Sequence, residues 1–216
     1  MFPLNTVVFP GVTTGLHVFE ERYRALVRHL LTIEDPADRV FGVTAIREGY
    51  EVGDSGAQSL HTLGTLVQVV AVEALPDGRF NIEVFGRQRL RLLSMDPPGE
   101  FPAGIVDLLP GEDGETPLEA ALIATRTFDD YRTMLSQMGL RPSLPVGVPR
   151  DPEWLSWTMA ESASLTLAQR QELLATETAE ERLYVLTIYL REEIRAMRAV
   201  PSLPATDVAR TRWSPN

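Results

Sequence analysis

Neither cysteine nor lysine occurs among the 216 residues of this chain. Without cysteine, disulfides and cysteine–zinc sites are excluded, and a cytoplasmic address fits. Without lysine, all 20 basic residues are arginine. That removes a serine–lysine dyad, a Schiff-base lysine and a phosphate-loop lysine, because a guanidinium stays protonated and serves as neither base nor amine nucleophile. A glycine-rich phosphate loop is also missing, so nothing points to ATP or GTP chemistry. No apolar run approaches the roughly 18 residues that span a bilayer, and the first residues lack the basic start and unbroken apolar core of a secretory signal. Neither half of the chain is basic. The net charge is −10, from 30 acids and 20 bases, and residues 1–110 and 111–216 each carry five excess acids. A general nucleic-acid-binding field is therefore disfavoured.

What remains is a globular composition, with 44% hydrophobic residues and a mean hydropathy near zero. A chain of this length buries about 70% of its unfolded surface. The opening MFPLNTVVFPG has prolines at positions 3 and 10 that exclude a helix, so Leu4 to Phe9 reads as a strand inside a sheet. Phe19, Tyr23, Leu26, Val27 and Leu30 then recur at helical spacing. Strands are expected over Val40–Ile46, Thr65–Leu75, residues 79–93 and Ala103–Leu109, with a Gly/Ser/Asp-rich loop over 48–59. Leu75-Pro-Asp-Gly-Arg79 is a hairpin turn. In the strand that returns from it, Phe80, Ile82, Val84, Leu90 and Leu92 fall on one face and Arg87, Arg89 and Arg91 on the other, with Gly86 placed for a bulge.

The period changes after a breaker-rich linker at 111–116. Capping-box patterns at Thr116-x-x-Glu119, Thr166-x-x-Gln169 and Thr178-x-x-Glu181, and an Asp151-Pro152 start, open four helices within 117–200. The first is expected to bury Leu118, Leu122, Thr125, Phe128, Tyr131, Leu135 and Met138, and the last Leu183, Leu186, Leu190, Ile194 and Met197. Residues 201–216 lack periodicity and read as a loose tail. The fold class is α+β: a rolled β-sheet or pseudo-barrel lobe with one helix over 1–110, followed by a C-terminal helical bundle.

Candidate chemistry is sparse. Gly53-Asp54-Ser55-Gly56 spells a serine-protease signature, but the same residue types make a flexible hairpin loop, and that reading prevails. His17, His29 and His61 have no ligand spacing, so no metal or cofactor is expected. The Arg87/Arg89/Arg91 stripe would hold a carboxylate, a phosphate or an acidic peptide, against the plainer reading of a solvated face. Trp154, Trp157 and Met159 would offer a patch for apolar peptides, against the plainer reading of a lobe core. No catalytic motif stands out.

FPLNTVVFPG followed by LHVFEERYRALV resembles the start of the amino-terminal domain of Lon proteases. The resemblance continues through FGVTAIREGYEVG, HTLGTLVQVVAVEALPDGRFNIEVFGRQRLRL and ERLYVLTIYLREEI, from residue 2 to about 198. It implies a PUA-like β-lobe before a helical bundle, and a non-enzymatic module that recognises exposed or unfolded polypeptide segments, as an adaptor or regulator of proteolysis with a protease among its partners. The ATPase and serine–lysine peptidase domains of that family have no counterpart within these residues. On this reading Tyr50, Phe80, Arg87, Arg89, Arg91, Trp154 and Trp157 are the residues to test for polypeptide binding. A small-ligand or RNA-binding β-lobe is the alternative, and a minor hydrolase of converged acids a third.

Overall fold

The computed structural model describes residues 1–49, 57–140, 149–199 and 213–215. The chain divides into two compact units: one built on Met1–Pro110, the other beginning at Gly111.

Among the described residues the first unit is a seven-stranded sheet with one α-helix. Its elements are β1 (Phe2–Leu4), β2 (Thr13–Val18), α1 (Glu21–Leu31), a 3-10 turn at Pro36–Asp38, β3 (Val40–Gly49), β4 (Ala57–Ala74), β5 (Phe80–Met95) and β6 (Gly104–Leu109). The sheet runs β1-β3-β4-β5-β2 and ends on a short strand, β7 (Trp213–Pro215), while β6 branches off β5. The opening strand is therefore Phe2–Leu4, pairing parallel to β3 through Phe2 and Val43. Val7, Val8 and Phe9, expected to continue it, are buried but lie outside any strand. Trp213–Pro215 corrects the loose-tail reading at its far end, because it pairs parallel to β2 from Gly15 to His17.

β5 is long because it serves two partners on one edge. Phe80–Phe85 pair with β2, Arg89–Met95 pair with β6, and β4 lines the opposite edge. The change of partner falls at a bulge: Val67 faces Gly86 and Leu66 faces Gln88, which leaves Arg87 as the extra residue. Gly86 is required there, since a Cβ would lie 2.2 Å from the carbonyl oxygen of Phe9. The chain at 11–12 is also pinned to it by Gly11 N to Gly86 O at 2.8 Å and Gly86 N to Val12 O at 2.9 Å. The bulge shifts the alternation by one residue. Leu90, expected on the face of Val84, turns to the other side, and Arg89 takes the face of Val84 opposite Thr65. On the core face Phe2, Leu16, Val18, Tyr23, Val67 and Ile82 pack together, with the rings of Phe2 and Tyr23 stacked at 4.3 Å.

The second unit holds α2 (Pro117–Gln137), α3 (Pro152–Ser162), α4 (Leu167–Ala175) and α5 (Ala179–Ala199). Thr166 forms the full capping box with Gln169. Thr178 accepts from the amide of Glu181 at 3.1 Å, whereas Glu181 reaches back to the amide of Glu177 instead. Thr116 does not cap its own helix. Its hydroxyl donates to Glu180, which also accepts the amides of Glu115 at 2.7 Å and Thr116 at 2.9 Å. The first turn of α5 thus holds the start of α2, and the two helices run in the same direction.

In α5 the expected stripe is buried throughout. In α2 it is not. Ala120, Ala121, Ala124, Phe128, Tyr131 and Leu135 form the buried face, while Leu118 and Leu122 are 72% and 55% exposed. Small side chains at the start of α2 fill the packed face, so the larger leucines on adjacent rows point outward.

Candidate functional site

The residues singled out from the sequence do not converge. Phe80 belongs to the sheet core. Arg89 is buried and donates through Nη2 to the carbonyl of Pro110 at 3.2 Å. Arg87, the bulge residue, is exposed and bonded to the side chain of Gln68. Arg91 is exposed and stands across the ladder from Asp107. The expected stripe is therefore broken: one bulged, one buried and one free-standing side chain. Trp157 is fully buried beneath Arg182, whereas Trp154 is 40% exposed on the same short helix. Tyr50 and the Gly53–Gly56 motif lie outside the described residues.

The histidines are scattered. His17 bonds Asn81 through Nδ1 at 2.8 Å, His29 lies beside the ring of Phe101, and His61 sits on β4 with its ionisation lowered by burial and by Arg47. Among the described residues no three His, Asp or Glu side chains gather as a metal site. The carboxyls with displaced ionisation serve structure. Side-chain hydrogen bonds from Arg28, Arg79 and Thr116 hold Glu21, Asp77 and Glu180 low. Burial, with Glu192 beside it, pushes Glu193 up.

The clearest surface feature of the first unit is the β5–β6 hairpin. β6 pairs with β5 and with no other strand among the described residues, so its outer edge leaves amides and carbonyls unclaimed by the sheet. Leu93, Met95, Ile105 and Leu108 on this hairpin are all large, apolar and exposed. Register places Leu92, Met95, Val106 and Leu108 on one face and Arg91, Ile105 and Asp107 on the other, with Leu93 at a second bulge. A free strand edge flanked by apolar side chains can accept an extended segment: main-chain hydrogen bonds supply affinity and alternate side chains supply preference. Sequence reasoning identified β6 as a strand but attached no function to it. Its signal was Ile105-Val106 and Leu108-Leu109, apolar on both faces in a strand that has one neighbour among the described residues.

No helix among the described residues is long and apolar enough to cross a membrane. Residues 1–192 match the family model of the ATP-dependent protease La (LON) substrate-binding domain. Lon protease 1 of Thermus thermophilus is 29% identical over 194 residues, which is 87% of this chain and 24% of that protein. Lon protease of Porphyromonas gingivalis is 27% identical, over 92% of this chain and 24% of its own length. The chain thus spans about a quarter of these relatives. The crystal structure of a Lon N-terminal domain protein from Xanthomonas campestris superposes with a TM-score of 0.62 at 27% identity, covering 87% of this chain and 95% of that one. The N-terminal domain of a Mycobacterium avium complex Lon protease shares the fold, with a TM-score of 0.64 at 19% identity over 89% of this chain and 96% of its own. With a β-lobe and helical unit in the expected order and a family model matching most of its length, this chain belongs to the Lon substrate-binding domain family.

Proposed function

We propose that this protein recognises exposed polypeptide segments by pairing them, in extended form, along the free edge of β6, and that it serves proteolysis as an adaptor or regulator. The observation that carries this reading is the unpaired edge of β6 flanked by exposed Leu93, Met95, Ile105 and Leu108. The substrate-binding character of the family supplies the class of ligand. Arg91, exposed across from Asp107, selects among segments by charge. Trp154 offers a further apolar anchor in the helical unit. Phe80, Arg89 and Trp157 act indirectly, by holding the surfaces that carry the accessible side chains.

The test is titration of a fluorescent, carboxymethylated unfolded polypeptide into the protein and into the variant Ile105→Lys/Leu108→Lys. Each aliphatic side chain buried on binding contributes on the order of 1.5–3 kcal/mol. The double variant is therefore expected to bind at least about tenfold more weakly, as 1.4 kcal/mol is about a factor of ten. Both side chains are exposed, and a circular dichroism spectrum and urea midpoint matching the parent identify the variant as folded. Unchanged affinity removes the hairpin from the binding surface.

A further inference from the structure

In a chain with ten more acids than bases, four arginines converge on one groove. Arg126 of α2 and Arg191, Arg195 and Arg198 of α5 line a cleft of about 410 Å³ within the helical unit. All four are exposed, and none makes a hydrogen bond or an ion pair within the described residues. The single carboxylate in the lining is Asp130, and it too forms no ion pair there. Glu192 and Glu193 stand between the arginines in sequence but do not line the groove. Charge at a helix C-terminus favours bases and would account for Arg198. It does not account for Arg126, in the middle of α2.

Apolar side chains continue the arginine row of α5. Tyr184, Ile188, Arg191, Arg195 and Arg198 follow one another at three or four residues, so they share one face of that helix. Tyr184 and Ile188 are exposed. They lie toward the start of α5, where Glu180 holds the start of α2, and the arginines lie toward its end. From Tyr184 to Arg198 the surface runs ~21 Å at 1.5 Å per residue, the length of about six extended residues.

We propose that the α2–α5 face docks a short acidic polypeptide segment, its carboxylates held by Arg126, Arg191, Arg195 and Arg198 and its adjoining apolar residues resting on Tyr184 and Ile188. Guanidinium forks match carboxylates in bidentate geometry, and unpaired arginines lose no internal partner on binding. Charge complementarity and the apolar half together select a polypeptide over a nucleic acid. A phosphate backbone gains nothing from the apolar pair, and the chain as a whole carries ten more acids than bases. This docking face lies in the helical unit and does not depend on the β6 edge.

The test uses three labelled probes on the full chain, read by fluorescence anisotropy. They are a twelve-residue peptide with a Leu/Phe-containing half and a Glu-rich half, its Glu→Gln counterpart, and a twelve-nucleotide single strand. The acidic peptide is expected to bind at least tenfold tighter than the Gln peptide, to weaken as salt rises, and to lose at least tenfold in Arg126→Gln/Arg195→Gln. Ile105→Lys/Leu108→Lys is expected to leave it unchanged. Amide resonances of Ile123 and Ile194 should shift during the same titration, an observation that needs no variant. Equal binding of the Glu and Gln peptides, tighter binding of the oligonucleotide, full affinity in the arginine variant, or unshifted Ile123 and Ile194 resonances would each overturn the proposal. Loss of the acidic peptide in the β6 variant would overturn the claim that the two surfaces are separate.

Discussion

The guanidinium carbon of Arg182 lies 3.4 Å from the centre of the Trp157 ring, and both side chains are almost wholly excluded from solvent. Nε of Arg182 donates to the hydroxyl of Ser156 at 2.7 Å. This stack joins α5 to α3, so the helical unit is centred on a cation held against an aromatic face rather than on aliphatic packing alone.

Removing either member should be costly. Trp157→Ala is expected to destabilise the protein by about 3–5 kcal/mol through the cavity it opens. Arg182→Ala is expected to cost about 1–3 kcal/mol or more, since it uncovers the buried indole and removes the donor to Ser156, whose hydroxyl keeps only its bond to the Glu153 carbonyl. Arg182→Lys should recover only part of that loss, because an ammonium lacks the planar surface that stacks. The pair is in direct contact, so the double variant should lose less than the two single losses combined. Urea unfolding followed by circular dichroism measures all four.

The arginines of β5 are expected to separate by role. Arg89→Ala should cost about 1–3 kcal/mol, as it leaves the carbonyl of Pro110 without its donor and opens a buried site. Arg91→Ala, at an exposed position, should stay within about 0.5 kcal/mol in the same unfolding assay.

Gly86→Ala should destabilise by about 1–3 kcal/mol or more, the range for overpacked sites. The obstacle is backbone, the Phe9 carbonyl oxygen at 2.2 Å from a built Cβ, so no side-chain rotation relieves it. Reduced thermal stability with amide shifts confined to residues 9–12 and 66–88 checks this.

A pH effect follows from Glu180. Thr116's hydroxyl first, then backbone amides, hold its carboxyl below the ordinary glutamate value. The ionised form is therefore favoured by folding. Its contribution is fully present above the unfolded value of about 4.3 and disappears as pH falls through the lowered folded one. Glu180→Gln should be less stable than the parent at pH 7, with the gap closing as the pH is lowered past 4; thermal melts across pH 3–7 measure it. A gap independent of pH contradicts this assignment.

Much of the fold was legible in the sequence because local rules decided it. The Pro-Asp-Gly turn before Arg79, the Thr166 capping box and the leucine spacing of α5 are each short-range patterns, and the structure keeps them, whereas the opening strand falls at Phe2–Leu4 with Pro3 inside it. What sequence could not settle was which side of an element faces the core. The bulge at Gly86 shifts the alternation of β5 by one residue and buries Arg89, and that shift is set by the chain at Phe9, far away in sequence. Likewise α2 buries alanines and exposes Leu118 and Leu122 because of how closely its face packs, which periodicity alone does not encode. The four groove arginines come from two helices about 65 residues apart, so only the parallel packing of α2 and α5 brings them together. Composition determined which reactions lack their residues; tertiary packing decided which side chains reach solvent, and binding depends on those.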